Sequence, residues 1–270
     1  MSKKTLGIIG CGNIGAALAR AADKDLADKI SRIILWDIDP QKTALLKKEL
    51  SNVDAASDEE EVMDEADLVV EAVAPSVVKG LLQKAVEKRR DIMIMSVGGV
   101  LDGPEVLEDA RKQGIRVILP SGAISGIDAL KAAKVAGIDS VTITTRKPPG
   151  SLKGAPYLTD KGIETDKIKE ETVIFEGSAA DAIKAFPKNI NVSMLLSLAG
   201  IGSQRTMVRI ITSPEYTRNT HEVEVKGISG IITARTENVP SPQNPKTSYL
   251  AVLSAIASLL EYFDTVRIGT

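Results

Sequence analysis

The sequence predicts an α/β protein in two parts. Residues 1–122 read as a doubly wound parallel sheet, and residues 123–246 as an α+β domain with a mostly antiparallel sheet. Three observations carry this. Apolar, strand-like runs alternate with helical stretches up to about residue 122, the pattern of βαβ units. A glycine-rich turn, Gly10-Cys11-Gly12-Asn13-Ile14-Gly15, separates the first such run from the first helix. After Gly126 the alternation gives way to three strand candidates in succession, and strands adjacent in sequence usually pair antiparallel.

The first run, Leu6-Gly7-Ile8-Ile9, reads as a strand and Asn13 to Ala22 as a helix. Each glycine in the G-x-G-x-x-G spacing has its own job. Gly10 permits the sharp exit from the strand, Gly12 lets a pyrophosphate approach without meeting a Cβ, and Gly15 lets the helix lie close to the strand. Asn13 and Ile14 open the helix, whose first N–H groups and partial positive charge suit a phosphate. A second run, Ile33 to Trp36, ends in Asp37. That acid lies about 20 residues past the last glycine, where a Rossmann-type sheet places the group that binds the adenine ribose. Its charge repels a 2′-phosphate, so NAD is the expected cofactor. Lys42 nearby keeps NADP as the alternative. The competing reading is a structural turn with no ligand.

Residues 41–50 are helical behind Asp39-Pro40. Asp58 to Glu65 reads as a solvated acidic helix face, and Asp67 to Val73 as a buried parallel strand. Ala74-Pro75-Ser76 starts a helix at Val77. Ile92 to Val97 is a strand ended by Gly98-Gly99, Leu107 to Gln113 a helix, and Arg116 to Leu119 a strand. Ligands of such sheets sit beyond the carboxyl ends of the strands. Gly10–Gly15, Asp37, Ala72–Ser76 with Ala74 among them, Gly98-Gly99 and Ser121–Ala123 are therefore expected around one crevice. In the second part, Asp128 to Ala136, Ser178 to Phe186 and Asn191 to Ala199 read as helices. Val141 to Arg146 and Thr172 to Phe175 are strands, and 151–170 is a polar, exposed loop. Met207–Thr212, Thr220–Lys226 and Ile231–Thr236 are the successive strands. Thr247 to Phe263 is a helix with an apolar stripe, so the terminal segment 247–270 is expected to pack back on the first domain. That would set a crevice beside residues 244–248.

Composition narrows the class. A formal net charge of −2 gives no field to attract nucleic acid or anionic lipid, and 3% aromatics is too few for base stacking. No apolar run reaches the length of a membrane span and no signal peptide is apparent. The single cysteine, Cys11, fits a reducing cytoplasm. One histidine and one cysteine cannot furnish a usual zinc set, so no metal is expected. His221, the one histidine, shares a strand face with Val223 and Val225. It is either a core histidine bonded to backbone or a general acid/base, since imidazole can move a proton while a cofactor moves a hydride. Arg146, Lys147 and Lys246 are candidates to pair with substrate carboxylates, or else solvated surface cations. Asn189 and Asn191 flank Ile190 ahead of a buried helix, where one of them would serve equally as a cap.

Beyond the glycine turn, the segments Ser121-Gly122-Ala123-Ile124-Ser125-Gly126, Thr145-Arg146-Lys147-Pro148-Pro149, Phe186-Pro187-Lys188-Asn189-Ile190-Asn191, Arg218-Asn219-Thr220-His221-Glu222 and Asn244-Pro245-Lys246-Thr247-Ser248 occur in an order that resembles the L-aspartate dehydrogenase family over almost the whole chain. The resemblance implies that His221 is the catalytic acid/base and that Ala123 and Asn191 contact the nicotinamide. It also implies a homodimer using NAD or NADP. L-Aspartate would be held by Ser121, Arg146, Lys147, Lys246 and Thr247 and oxidised to iminoaspartate, then oxaloacetate and ammonia, with reductive amination the reverse. The imine would link the enzyme to pyridine nucleotide synthesis. The chain is somewhat long for the family through 150–171, which the resemblance reads as a surface loop. A dihydrodipicolinate- or homoserine-type reductase of the same architecture, and a cofactor-binding regulator without turnover, are the rival readings.

Overall fold

The computed structural model describes residues 3–187 and 191–269, apart from the side chains of Asp102 and Lys246. The chain forms two compact units: Met1–Pro120 with Val252–Arg267, and Ser121–Ala251 with Ile268–Thr270.

The first unit contains β1 (Lys4–Ile9), β2 (Ile30–Trp36), β3 (Val53–Ala55), β4 (Leu68–Glu71), β5 (Asp91–Ile94) and β6 (Val117–Ile118). They pair in the order β3-β2-β1-β4-β5-β6, every ladder parallel. The order reverses between β1 and β4, which puts the switch point beside the glycine turn. Connecting helices are α1 (Asn13–Asp25), α2 (Pro40–Glu49), α3 (Glu59–Glu65), α4 (Val78–Glu87) and α5 (Pro104–Gln113). Asp39 and Asp58 cap α2 and α3, accepting from the N–H groups of Gln41 and Glu61 at 3.0 and 2.8 Å. The acidic run 58–65 is solvated on one side only, because Val62 and Met63 of α3 are fully buried. Strand β3 escaped the sequence reading, as three residues show no period.

Glu71, at the end of β4, has no solvent exposure. Its carboxylate accepts N–H bonds from Val73 (2.8 Å), Met95 (3.0 Å) and Ser96 (2.9 Å), tying the ends of β4 and β5 together. Burial raises its pKa, and the backbone donors only partly offset this. The folded protein therefore binds this proton more tightly than the unfolded chain does, so the contribution of Glu71 to stability falls as pH rises through the raised pKa. In Glu71→Gln the amide nitrogen cannot accept and strands at least one donor. Denaturant titration should show a loss of about 1–3 kcal/mol at acidic pH, narrowing as pH rises through the raised pKa of the folded protein. A gap that widens with pH would contradict this.

The second unit contains β7 (Ile138–Lys147), β8 (Thr172–Ser178), β9 (Thr206–Thr212), β10 (Asn219–Gly227) and β11 (Gly230–Asn238). Their order is β11-β10-β7-β9-β8. Three of the ladders are antiparallel, but β7 runs parallel to β9. Succession in sequence thus misleads at one place: β7 lies between β9 and β10, which do not pair. Helices α6 (Ile127–Ala136), α8 (Ala179–Ala185) and α9 (Asn191–Ala199) pack on this sheet, whose inner face buries Val141, Ile143, Val208, Ile210, Val223 and Val225.

Residues 151–170 are largely exposed, as expected, but not without structure. Pro156 starts a short helix, α7 (Pro156–Asp160), and Leu152, Ala155, Leu158 and Thr165 are buried. The Tyr157 ring sits 5.4 Å from those of both Phe175 and Phe186. A small hairpin, β12 (Pro240–Ser241) and β13 (Asn244–Ser248), precedes the last helix, α10 (Tyr249–Tyr262). Thr247 and Ser248 are therefore strand residues, and the helix begins after them. From Val252 onward α10 belongs to the first unit, where Ala255 and Leu259 join the core of Leu6, Ile8, Leu68 and Val70. The Tyr262 hydroxyl donates to Asp91 at 2.8 Å and accepts from Lys4 at 2.6 Å.

Candidate active site

In the first unit, parallel register brings Ile9, Trp36, Glu71 and Ile94 to one edge of the sheet. The glycine turn, Asp37, Ala74 and Gly98-Gly99 follow directly from these ends. Gly10 has φ +97°, and a Cβ there would lie 2.4 Å from the Ala72 carbonyl oxygen. A Cβ on Gly15 would stand 1.9 Å from the Gly10 oxygen. These two glycines serve the fold. Gly12 differs: nothing lies within 4 Å of where its Cβ would be. It caps α1 without a side-chain bond, leaving a bare backbone turn at a helix N-terminus, the arrangement that receives a phosphate. Asn13 and Ile14 form the first turn of that helix.

Asp37 is held in place by the same loop. Its carboxylate accepts from the Cys11 N–H at 2.7 Å and the Asp39 N–H at 2.9 Å, and Lys42 stands 3.2 Å away. Burial alone would raise its pKa, but these donors together lower it. Asp37 therefore stays charged beside the turn, and Lys42 neutralises part of its field. Burial, with the Asp37 charge behind it, pushes the Cys11 thiol up to about 12. The thiol is inert as a nucleophile.

In the second unit His221 stands near the start of β10, on the inner face, 5% exposed. Register places it opposite Thr145 of β7, whose hydroxyl meets Nδ1 at 2.9 Å. Among the described residues this is the ring's one side-chain hydrogen bond. Burial, then the positive charge of Lys147, lower the imidazole pKa to about 3. The ring is thus neutral at physiological pH, with Nδ1 anchored and Nε2 able to exchange a proton.

The other expected residues divide. Ala123 lies beside His221: its carbonyl accepts from Thr236 (2.9 Å) and from Asn238 (3.1 Å), and Thr236 pairs with His221 in the β10–β11 register. Ser121 begins the unit two residues earlier. Asn191 heads α9. Thr247 lines a cavity with Arg218, Asn219, Asn238 and Ser248. Lys147 shares the inner face but is 8% exposed, with its pKa lowered to about 8 by burial. It lines a recess with Thr145, Ser193 and Phe186. Arg146 pairs in register with Thr220, on the opposite strand face from His221, and stands 3.6 Å from Glu222. The side chain of Lys246, and Asn189, lie outside the described residues. Arg218 and Asn219 were missed as site residues, although Asn219 shares the strand parity of His221. Among the described residues no group of three metal-binding side chains converges, and no helix is long and apolar enough to cross a membrane.

A glycine turn on a parallel switch point, a charged acid beyond the second strand and a neutral buried imidazole define a pyridine-nucleotide-dependent oxidoreductase. Residues 128–262 match the family "Aspartate dehydrogenase, C-terminal", and residues 10–120 match "Homoserine dehydrogenase, NAD binding domain". The chain belongs to the L-aspartate dehydrogenase family. It is 45% identical to the L-aspartate dehydrogenase of Methanosarcina mazei over 98% of this chain and 99% of that one. To the L-aspartate dehydrogenase of Nitrosopumilus maritimus it is 40% identical, over 99% and 100% of the two chains. The crystal structure of aspartate dehydrogenase from Thermotoga maritima superposes with TM-score 0.74 at 25% identity, over 99% of this chain and 100% of that one.

Proposed function

We propose that this protein oxidises L-aspartate with NAD, or less readily NADP, to iminoaspartate and then oxaloacetate and ammonia, and catalyses the reverse amination. The observation that carries this reading is the neutral imidazole of His221, anchored through Nδ1 by Thr145. When bound, the nicotinamide supplies the acceptor for the hydride that leaves C2. Gly12 and the first turn of α1 would hold the pyrophosphate, and Asp37 the adenine ribose. Ala123 and Asn191 would contact the nicotinamide. His221 would take a proton from the water that adds to the imine carbon, then return one to the departing ammonia. Release of the imine before hydrolysis would feed pyridine nucleotide synthesis. A cytoplasmic setting accords with the one buried, unreactive cysteine.

A homodimer accords with the outer face of the second sheet. There Met207 and Val173 are 38% and 44% exposed, among charges of both signs at Arg209, Glu176, Lys226 and Glu224. A second copy would cover this face. The experiment is a substrate panel. Purified protein with NAD or NADP is offered L-aspartate, L-homoserine and L-lactate, and NAD(P)H is followed. Turnover of aspartate alone, faster with NAD, is expected. Turnover of homoserine without aspartate would refute the reading, and sedimentation of the same preparation as a monomer at micromolar concentration would remove the dimer.

A further inference from the structure

The proposed function requires side chains that recognise the substrate beside the imidazole. A cavity of about 160 Å³ at the end of the second sheet, lined by Thr217, Arg218, Asn219, Asn238, Thr247 and Ser248, bears on this. It is well below the roughly 300 Å³ at which pockets for drug-sized ligands begin, so it suits a small acid. Asn238 is already committed. Its amide donates to the Ala123 carbonyl and its oxygen accepts from the Ser248 hydroxyl at 2.7 Å. Asn219, opposite it in register, is not. Its Oδ1 is buried and has no hydrogen-bond partner among the described residues. A buried carbonyl oxygen without a donor is unfavourable, and the expense is offset when a ligand brings the donor. Asn219 precedes His221 by two positions on β10, so both side chains leave the same face about 7 Å apart. Arg218 is exposed on the cavity lining and forms no ion pair among the described residues. Its guanidinium offers a fork that fits a carboxylate.

We infer that Arg218 and Asn219 form the substrate-recognition pair of this site. Arg218 clamps a carboxylate of a small dicarboxylic amino acid, and Asn219 Oδ1 accepts an N–H from its amino group. The reacting carbon then lies next to His221. This rests on the function proposed above and adds the residues that select its substrate.

The test is equilibrium binding of L-aspartate to the NADH-loaded protein, read by calorimetry, alongside steady-state kinetics. Arg218→Met and Asn219→Ala should each weaken aspartate binding about 10- to 100-fold. NADH affinity and thermal stability should match wild type, and Arg218→Lys should recover part of the loss. Aspartate binding unchanged in both variants would overturn the inference, as would a loss of NADH affinity in Asn219→Ala, which would assign that oxygen to the cofactor. Failure of wild type to bind any dicarboxylic amino acid would overturn it as well. The function itself is judged separately, by which acid wild type oxidises. If that acid is not aspartate, the function falls, and the variant-to-wild-type ratio measured with the acid that is oxidised still decides the cavity.

Discussion

Replacing His221 with alanine will lower kcat by about 100- to 10,000-fold, the range for removal of a general acid/base, while NADH binding stays at the wild-type value. The argument is geometric. His221 is the only histidine of the chain, its Nδ1 is held at 2.9 Å by Thr145, and the ring is 5% exposed. Removing it takes away the proton carrier and leaves the residues of the glycine turn, which belong to the first unit, unchanged. Single-turnover rates and NADH fluorescence titration separate the two effects. Equal rates in wild type and variant would take His221 out of the mechanism and leave a structural histidine.

Gly12→Ala is the second large effect, and its value lies in contrast with Gly15→Ala. Nothing stands within 4 Å of a Cβ on Gly12, and its φ of −73° is one that alanine adopts freely. The folded protein should tolerate the methyl group, with an unchanged melting temperature. A pyrophosphate lying against that backbone would not, and NAD affinity should fall about 10- to 100-fold as its hydrogen bonds lengthen. Gly15→Ala would instead drive a methyl carbon to 1.9 Å from the Gly10 oxygen, and should lose the fold along with the cofactor. Titration calorimetry and thermal denaturation on both variants decide the matter. Normal NAD binding by Gly12→Ala would exclude the turn as the phosphate site.

What the sequence made legible was local. The glycine spacing, Asp37 at a strand end and the face of His221 depend on neighbours within a few residues, and each stands where periodicity put it. Pairing between distant strands was not legible. Succession predicts β9 beside β10, but β7 comes between them through a connection of many residues, and no local period records that. The face of Arg146 relative to His221 was hidden for the same reason, because it depends on the β7–β10 register. The exposure of 151–170 was legible in its polar composition, but its short helix was not, although Pro156 and the spacing of Leu152, Ala155 and Leu158 were there to be read. Asn219 could have been found by parity alone. That its oxygen lacks a donor could not, since only packing reveals it.

Lys147 and His221 are both buried on the inner face of the second sheet, and the charge of the lysine disfavours a second proton on the imidazole. Before binding, the imidazole is in its neutral form at neutral pH, and the ammonium of Lys147 is close to releasing its proton, near 8. A molecule with two negative charges settling nearby pulls both equilibria the other way, because opposite charge favours the protonated form. Substrate arrival is therefore accompanied by proton uptake from solvent. The form of His221 that can accept a proton is thus the resting one, and the charge of the arriving acid sets how much of it remains.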